Sequence, residues 1–307
     1  MGLVEYSVFD ARMRELVIRS AHVEQLDNSS RWAEGPVYFP AGDYLLWSDI
    51  PNNRVMQWVE GLGARVFSAA ANNSNGNTCD ALGRRVSCEH LSRSVVRFEI
   101  DGSRTVLADV YRSGKLNSPN DVVVASDQAI WFTDPSYGIL SDYEGKRAAS
   151  EQDGCFVYRI DPQTGIVEAK VVSMKMPNGL AFSPDETVLY VADSSRSHDE
   201  TAHHHVLAFD VTAVQVLGEP RVFAVIEDGV PDGLRVDELG NVWVSSARGV
   251  EIFAPDGTPL GVLQIPEIVA NLAFGGPKNN RLFIAATTSI YSVYTAVRGA
   301  SRPAPRL

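Results

Sequence analysis

Short apolar runs separated by turn-forming residues dominate this chain, and they come in pairs. Residues 177–193, PNGLAFSPDETVLYVAD, hold two strand-like runs joined by a Ser-Pro-Asp-Glu turn, opened by an asparagine and closed by an aspartate. The hairpin recurs as EGPVYFPAGDYLLWSD from Glu34, NTCDALGRRVSCEH from Asn77, NDVVVASDQAIWFTD from Asn120, DGLRVDELGNVWVSS from Asp232 and NLAFGGPKNNRLFIAA from Asn271. With Asn178 in its place, the starting residues lie 43, 43, 58, 54 and 39 positions apart. Further short β-rich runs follow each copy, such as RVMQWV and ARVFSAA after the first. Four short strands per repeat, at a period of about 40 to 50 residues, is the arithmetic of a β-propeller. Six copies predict an all-β, six-bladed propeller with four antiparallel strands per blade. The sixth copy reaches only SIYSVY before SRPAPRL, so it lacks one strand. The N-terminal run LVIRSAHVEQL is expected to supply it, closing the ring and removing an exposed edge. Residues 1–300 are then one propeller domain and 301–307 a flexible tail.

If the first strand of each hairpin is innermost, its first residue sits at the central channel. Glu34, Asn77, Asn120, Asn178, Asp232 and Asn271 would form a ring there, and every member is a carboxylate or a carboxamide. The second strand runs back, which brings Asp49, Glu89, His90, Asp134 and Asp193 to the same mouth. Asn and Asp also cap strand starts through Asx turns. That account leaves Glu34 unexplained. Oxygen donors converging on one axis suit a hard cation better than a thiolate-seeking metal, so one divalent ion is expected, Ca²⁺ first, with Zn²⁺, Mn²⁺ and Mg²⁺ as alternatives.

Composition narrows the partners. The chain has 307 residues and a formal charge of -11, with no basic cluster to track phosphates, which argues against nucleic acid and anionic lipid. The N-terminus lacks a signal-type apolar region and no stretch is long enough to span a bilayer, so a soluble, cytoplasmic protein is expected. Cys79, Cys88 and Cys155 are an odd count without CxxC spacing, which speaks against a disulfide framework or a zinc thiolate site. His203, His204 and His205 are consecutive, so on a strand they point to opposite faces and cannot all hold one ion. The segment between Phe132 and Cys155 is polar, long and without β alternation, and is expected to be a lid or rim loop. No Gly-x-Ser-x-Gly, HExxH or Walker A pattern occurs.

The stretches WAEGPVYFP, CEHLSRSVVRF, NSPNDVVV, WFTDPSYGI, PNGLAFSPDETVLYVAD, VPDGLRVDELGNVW and ANLAFGG resemble the SMP-30/gluconolactonase (regucalcin) family over nearly the whole chain. The Ala-Glu-Gly, Pro-Asn-Gly and Pro-Asp-Gly triplets are the most specific. The resemblance implies a six-bladed propeller with one divalent metal bound by Glu34, Asn178 and Asp232. It places Asn120 at or near that metal, where it also holds substrate. It further implies hydrolysis of a sugar lactone such as D-glucono-1,5-lactone to the aldonic acid, and favours Asp232 as the carboxylate that takes the proton from water. Asp134, Tyr137 and His90 are candidate substrate contacts. The family's substrate-contacting arginine, two residues before the ring asparagine in the animal members, is Ser118 here. A phosphotriesterase or fluorophosphatase on the same metal site is the nearest rival activity, and a non-enzymatic calcium-binding propeller the rival class.

Overall fold

The computed structural model describes residues 4–212 and 217–300; the tail expected at 301–307 lies outside the described residues. Six antiparallel sheets follow one another along the chain, each built from four consecutive strands or completed from the N-terminus, and together they form a six-bladed propeller. The first blade shows the pattern. Its inner strand, Ala33–Phe39, is buried at every residue because blades press on both of its faces, whereas its outer strand, Gly63–Ser68, is half-buried or exposed throughout. Apolar residues on neighbouring sheets meet in six clusters, one at each blade interface. The cluster that closes the ring sets Tyr38, Leu45 and Trp47 of the first blade against Phe283, Ala285 and Ile290 of the last. Trp47, Trp131 and Trp243 on the second strands of alternate blades are fully buried. Each removes roughly 200 Å² of apolar surface from water, about 5 kcal/mol before entropy is counted.

Closure follows the expectation. Glu24–Asp27, at the end of the run read as the missing strand, pairs antiparallel with Ser289–Tyr294 and completes the last blade. The N-terminus does more than this. Tyr6–Val8 adds a fifth strand to the fifth blade by pairing with Pro259–Gln264, and Met13 and Leu16 of the short helix Met13–Leu16 are buried in that blade's cluster. No helix among the described residues is long and apolar enough to cross a membrane. The three cysteines are free.

The inner strands are stitched together at the channel. Gly76 N donates to Asn120 O at 2.7 Å, Gly179 N to Asp232 O at 3.1 Å, and Gly233 N to Ala270 O at 2.7 Å. Each bond runs from the residue after a ring position to the ring position of the next blade. They show that the structurally equivalent ring is Glu34, Asn75, Asn120, Asn178, Asp232 and Ala270. The ring read from the sequence was out of register at two blades, by two residues at Asn77 and by one at Asn271. At four of the six blades the strands approach so closely that a side chain will not fit after the ring residue. A Cβ on Gly179 would lie 2.2 Å from Asp232 O, and one on Gly233 would lie 2.1 Å from the Asn271 side chain. This close approach accounts for the recurring Glu-Gly, Asn-Gly and Asp-Gly pairs.

Candidate active site

A cavity of about 640 Å³ opens at the mouth of the channel where the ring lies. Glu34, Asn75, Asn120, Asn178 and Asp232 form its inner wall, one from each of five blades, and Ala270 lies at the sixth position. Asn271 and Asp121, the residues after ring positions Ala270 and Asn120, are buried against Gly233 and Gly76. Asn271 donates from Nδ2 to Glu34 Oε2 at 3.1 Å, Gly35 N donates to the same oxygen at 2.6 Å, and Asp121 pairs with Arg235 at 3.5 Å. Asn77, expected in the ring, is turned into the first blade. Its amide donates to Gly35 O, Ser48 Oγ and Asn75 O, and Ser87 Oγ donates to its oxygen.

The electrostatics are those of an acidic pocket with a single basic side chain on its wall, Arg196, among the described residues. Burial raises Glu34 to about 8, with the Asp121 charge adding to the rise. Burial also lifts Asp232 well above the usual carboxylate range, and the Glu34, Asp121 and Glu144 charges push it further. The Asn178 side chain hydrogen-bonds Asp232, and Ser245 Oγ receives its backbone N–H at 3.0 Å. Arg196 is the one lysine or arginine on the wall among the described residues, and it faces His204 Nδ1 at 3.2 Å.

The carboxylates closing the second strands do not reach the cavity. Asp49 binds Arg54 at 2.8 Å and accepts Arg31 N at 2.9 Å. Glu89 binds Arg104 at 2.6 Å, Asp193 accepts Ser195 N at 3.0 Å, and Asp134 accepts Asn117 N at 2.8 Å. Strand alternation explains this: the next residue faces the opposite way, and Ile50 and Ser194 line the cavity instead. Asp134 and His90 therefore stand behind the wall. His90 is fully buried between Asn75 and the backbone of Glu144, and burial lowers it to about 4, so it is neutral.

The segment 133–154 forms part of the rim. Ser118, at the place of the family's arginine, donates to Pro135 O at 2.7 Å and receives Gly138 N at 2.9 Å, pinning the start of the short helix Tyr137–Leu140. Tyr137 lines the cavity as expected. Its hydroxyl contacts Ser194 O and Ser197 Oγ at 3.3 and 3.2 Å, its ring lies 5.4 Å from His198, and burial raises its pKa, so it stays a neutral hydroxyl. Glu144, which no sequence motif marks, also lines the cavity, with its pKa raised by burial. Its only sequence signal was an acidic residue in a long insertion. Trp32, Arg196, His198 and Glu200 complete the polar and aromatic rim and were likewise not anticipated.

The donor set fits a hard divalent cation. Two carboxylates, Glu34 buried and Asp232 half-buried, share the wall with three amides, and Asn75 Oδ1 is buried without a hydrogen-bond partner. Among the described residues no three His, Cys, Asp or Glu side chains gather as a metal group, so such a site would draw on the amides.

A six-bladed propeller with an acidic, amide-rich cavity at one channel mouth defines the class of protein. A family model described as SMP-30/gluconolactonase/LRE-like region matches residues 32–288, and the chain belongs to that family. It is 29% identical to the gluconolactonase of Zymomonas mobilis over 310 residues, covering 95% of this chain and 86% of the relative. The solved gluconolactonase of Xanthomonas campestris superposes with a TM-score of 0.87 at 35% identity, covering 96% of this chain and 95% of that one. The calcium-binding protein regucalcin of Agrobacterium tumefaciens shares the fold, with a TM-score of 0.74 at 19% identity over 92% and 97% of the two chains.

Proposed function

We propose that this chain hydrolyses a sugar lactone of the D-glucono-1,5-lactone type to the aldonic acid, using one divalent cation held by Glu34, Asn178, Asp232 and Asn120. Membership of the family, together with gluconolactonase relatives aligned over nearly the whole chain, makes it a lactone hydrolase. The cation reading rests on one observation above others: Glu34 and Asp232 face one buried cavity, and neither is ion-paired among the described residues. Two such carboxylates are costly to ionise together unless a cation lies between them. When bound, the cation supplies Lewis acidity and a fixed point for the ester carbonyl.

The chain's own groups do the rest. Asp232 accepts the proton of the attacking water, as the channel carboxylate within reach of a water at the cation. Asn120 holds the substrate on the inner wall. Tyr137 and Glu144 on the rim present a hydroxyl oxygen and a carboxyl to the sugar hydroxyls, while Trp32, Ile50, Val230 and Ile268 offer apolar surface to the ring carbons. Asp134 and His90, behind the wall, support it rather than touch substrate. The rival phosphotriesterase reading is tested by measuring kcat/KM for D-glucono-1,5-lactone and for a neutral phosphotriester on one preparation. A lactone preference of about a hundredfold or more is expected. A preference for the phosphotriester would overturn the lactonase reading.

A further inference from the structure

The register of the ring brings forward a residue outside the metal set carried over from the family. Asn75 with Gly76 occupies in the second blade the place of Glu34, Asn120, Asn178 and Asp232 in theirs, as the bond from Gly76 N to Asn120 O shows. Its backbone is fixed, because Asn75 O accepts from Ser48 Oγ at 2.7 Å and from Asn77 Nδ2 at 2.9 Å. Its side chain is turned by one neighbour. His90 Nδ1 lies 3.0 Å from Glu144 O, and a carbonyl only accepts, so Nδ1 carries the hydrogen. The ring is buried, and with its hydrogen on Nδ1 it offers a lone pair on Nε2 to a facing donor. The Asn75 atom facing Nε2 at 3.3 Å is Nδ2, the donor. Oδ1 is therefore directed away from His90, and it is buried without a partner on a residue of the cavity wall. A buried amide oxygen left unpaired is unfavourable until a ligand pairs with it.

We propose that Asn75 Oδ1 is a fifth oxygen donor to the cation, and that His90, held by the carbonyl of Glu144, is the positioning residue that aims it. The inference rests on the cation reading above. The rim loop thus has two jobs: it brings the Glu144 carboxyl to the cavity, and through its backbone it orients a ring residue on the inner wall. Gly138 of the same loop packs so tightly that a Cβ there would lie 2.5 Å from His90, which clamps the imidazole from the other side.

The test is calorimetric titration of the chelator-stripped full chain with Ca²⁺ and with Mn²⁺, without lactone, and with thermal unfolding recorded for every variant. Asn75→Ala should weaken binding by about tenfold or more, and His90→Phe by a similar factor, as expected when a residue that orients a ligand is lost. His90→Gln, whose amide can accept from Asn75 and donate to Glu144 O, should restore most of the affinity. A histidine that is merely structural would lower stability in both His90 variants and leave the affinity of the folded protein unchanged, which would overturn its positioning role. Should Asn75→Ala fail to fold, the two His90 variants still decide. Unchanged Ca²⁺ and Mn²⁺ affinity in Asn75→Ala overturns the proposal, and if KM for the lactone rises there, the oxygen serves a substrate hydroxyl instead. A wild-type chain that binds neither ion overturns the cation reading itself, an outcome distinct from the failure of Asn75 alone.

Discussion

The ring carboxylates should make the metal-free protein less stable as the solution becomes more alkaline. Glu34 sits at about 8 in the fold against an ordinary 4.5, because burial disfavours its charge. Below pH 4.5 folded and unfolded chains both hold the proton. Between 4.5 and 8 the unfolded chain releases it and the folded chain keeps it, so folding is progressively disfavoured, and above 8 the loss is complete. At 1.36 kcal/mol per pH unit, raising the pH from 5 to 8 costs on the order of 4 kcal/mol from this one group. Asp232 shifts the same way and adds to it. His90, lowered by burial, works oppositely but below pH 6.5, and it cancels in a comparison of variants. Glu34→Gln keeps an acceptor for Gly35 N and Asn271 Nδ2 and has no proton to lose. Urea unfolding in chelator at half-unit pH steps should therefore show wild type and Glu34→Gln diverging, the variant becoming the more stable by a few kcal/mol at pH 8. A cation at a hundred times its Kd should return about 2.7 kcal/mol to the wild type and little to the variant. Parallel curves from pH 5 to 8 would refute the assignment of Glu34 as a buried, cation-requiring carboxylate.

Other perturbations probe other parts of the account. Asp232→Asn should fold and lose lactone turnover by a factor of about 10² to 10⁴, the usual worth of a general base, in a proton-release assay. Glu144→Gln should raise KM for a polyhydroxylated lactone several-fold with kcat less affected, and equal KM values would remove Glu144 from the substrate wall. Gly179→Ala places a methyl 2.2 Å from Asp232 O and should cost about 3 kcal/mol in denaturant unfolding, with cation affinity falling as Asp232 is displaced. Ser118→Ala frees Pro135 O and Gly138 N, and should lower stability by about 1 kcal/mol while raising KM through the loosened rim.

The blades were legible because each repeat writes its own hairpin, and a run such as NGLAFSPDETVLYVAD has one sensible folding. Closure by the N-terminus was legible from a missing strand, whereas the fifth strand at Tyr6–Val8 was not, since three residues carry too little pattern. Glu34, Asn120, Asn178 and Asp232 were readable as a set. At the second blade the apolar run starts two residues late, at Asn77, while the Asn-Gly pair at 75–76 holds the ring position, its glycine reporting the close approach of strands at the channel. No glycine follows Ala270, so the sixth position shows only in the bond from Gly233 N to Ala270 O. Asp134 and His90, which stand behind the cavity wall, were hard to place for a different reason. A strand end shows which mouth a residue reaches, but which way its side chain faces depends on alternation and on partners distant in sequence, such as Asn117 and Glu144. Glu144 itself lay in a segment with no periodicity to read.

The central claim is tested most directly by the initial rate of proton release from D-glucono-1,5-lactone, corrected for spontaneous hydrolysis. It is measured on chelator-stripped wild type before and after Ca²⁺, Mg²⁺, Mn²⁺ or Zn²⁺ is restored singly, with Asp232→Asn run alongside. Turnover that is lost on chelation, returns with at least one ion and stays absent in the folded Asp232→Asn protein is the predicted result. Full turnover in the stripped protein, or in Asp232→Asn, would contradict the account.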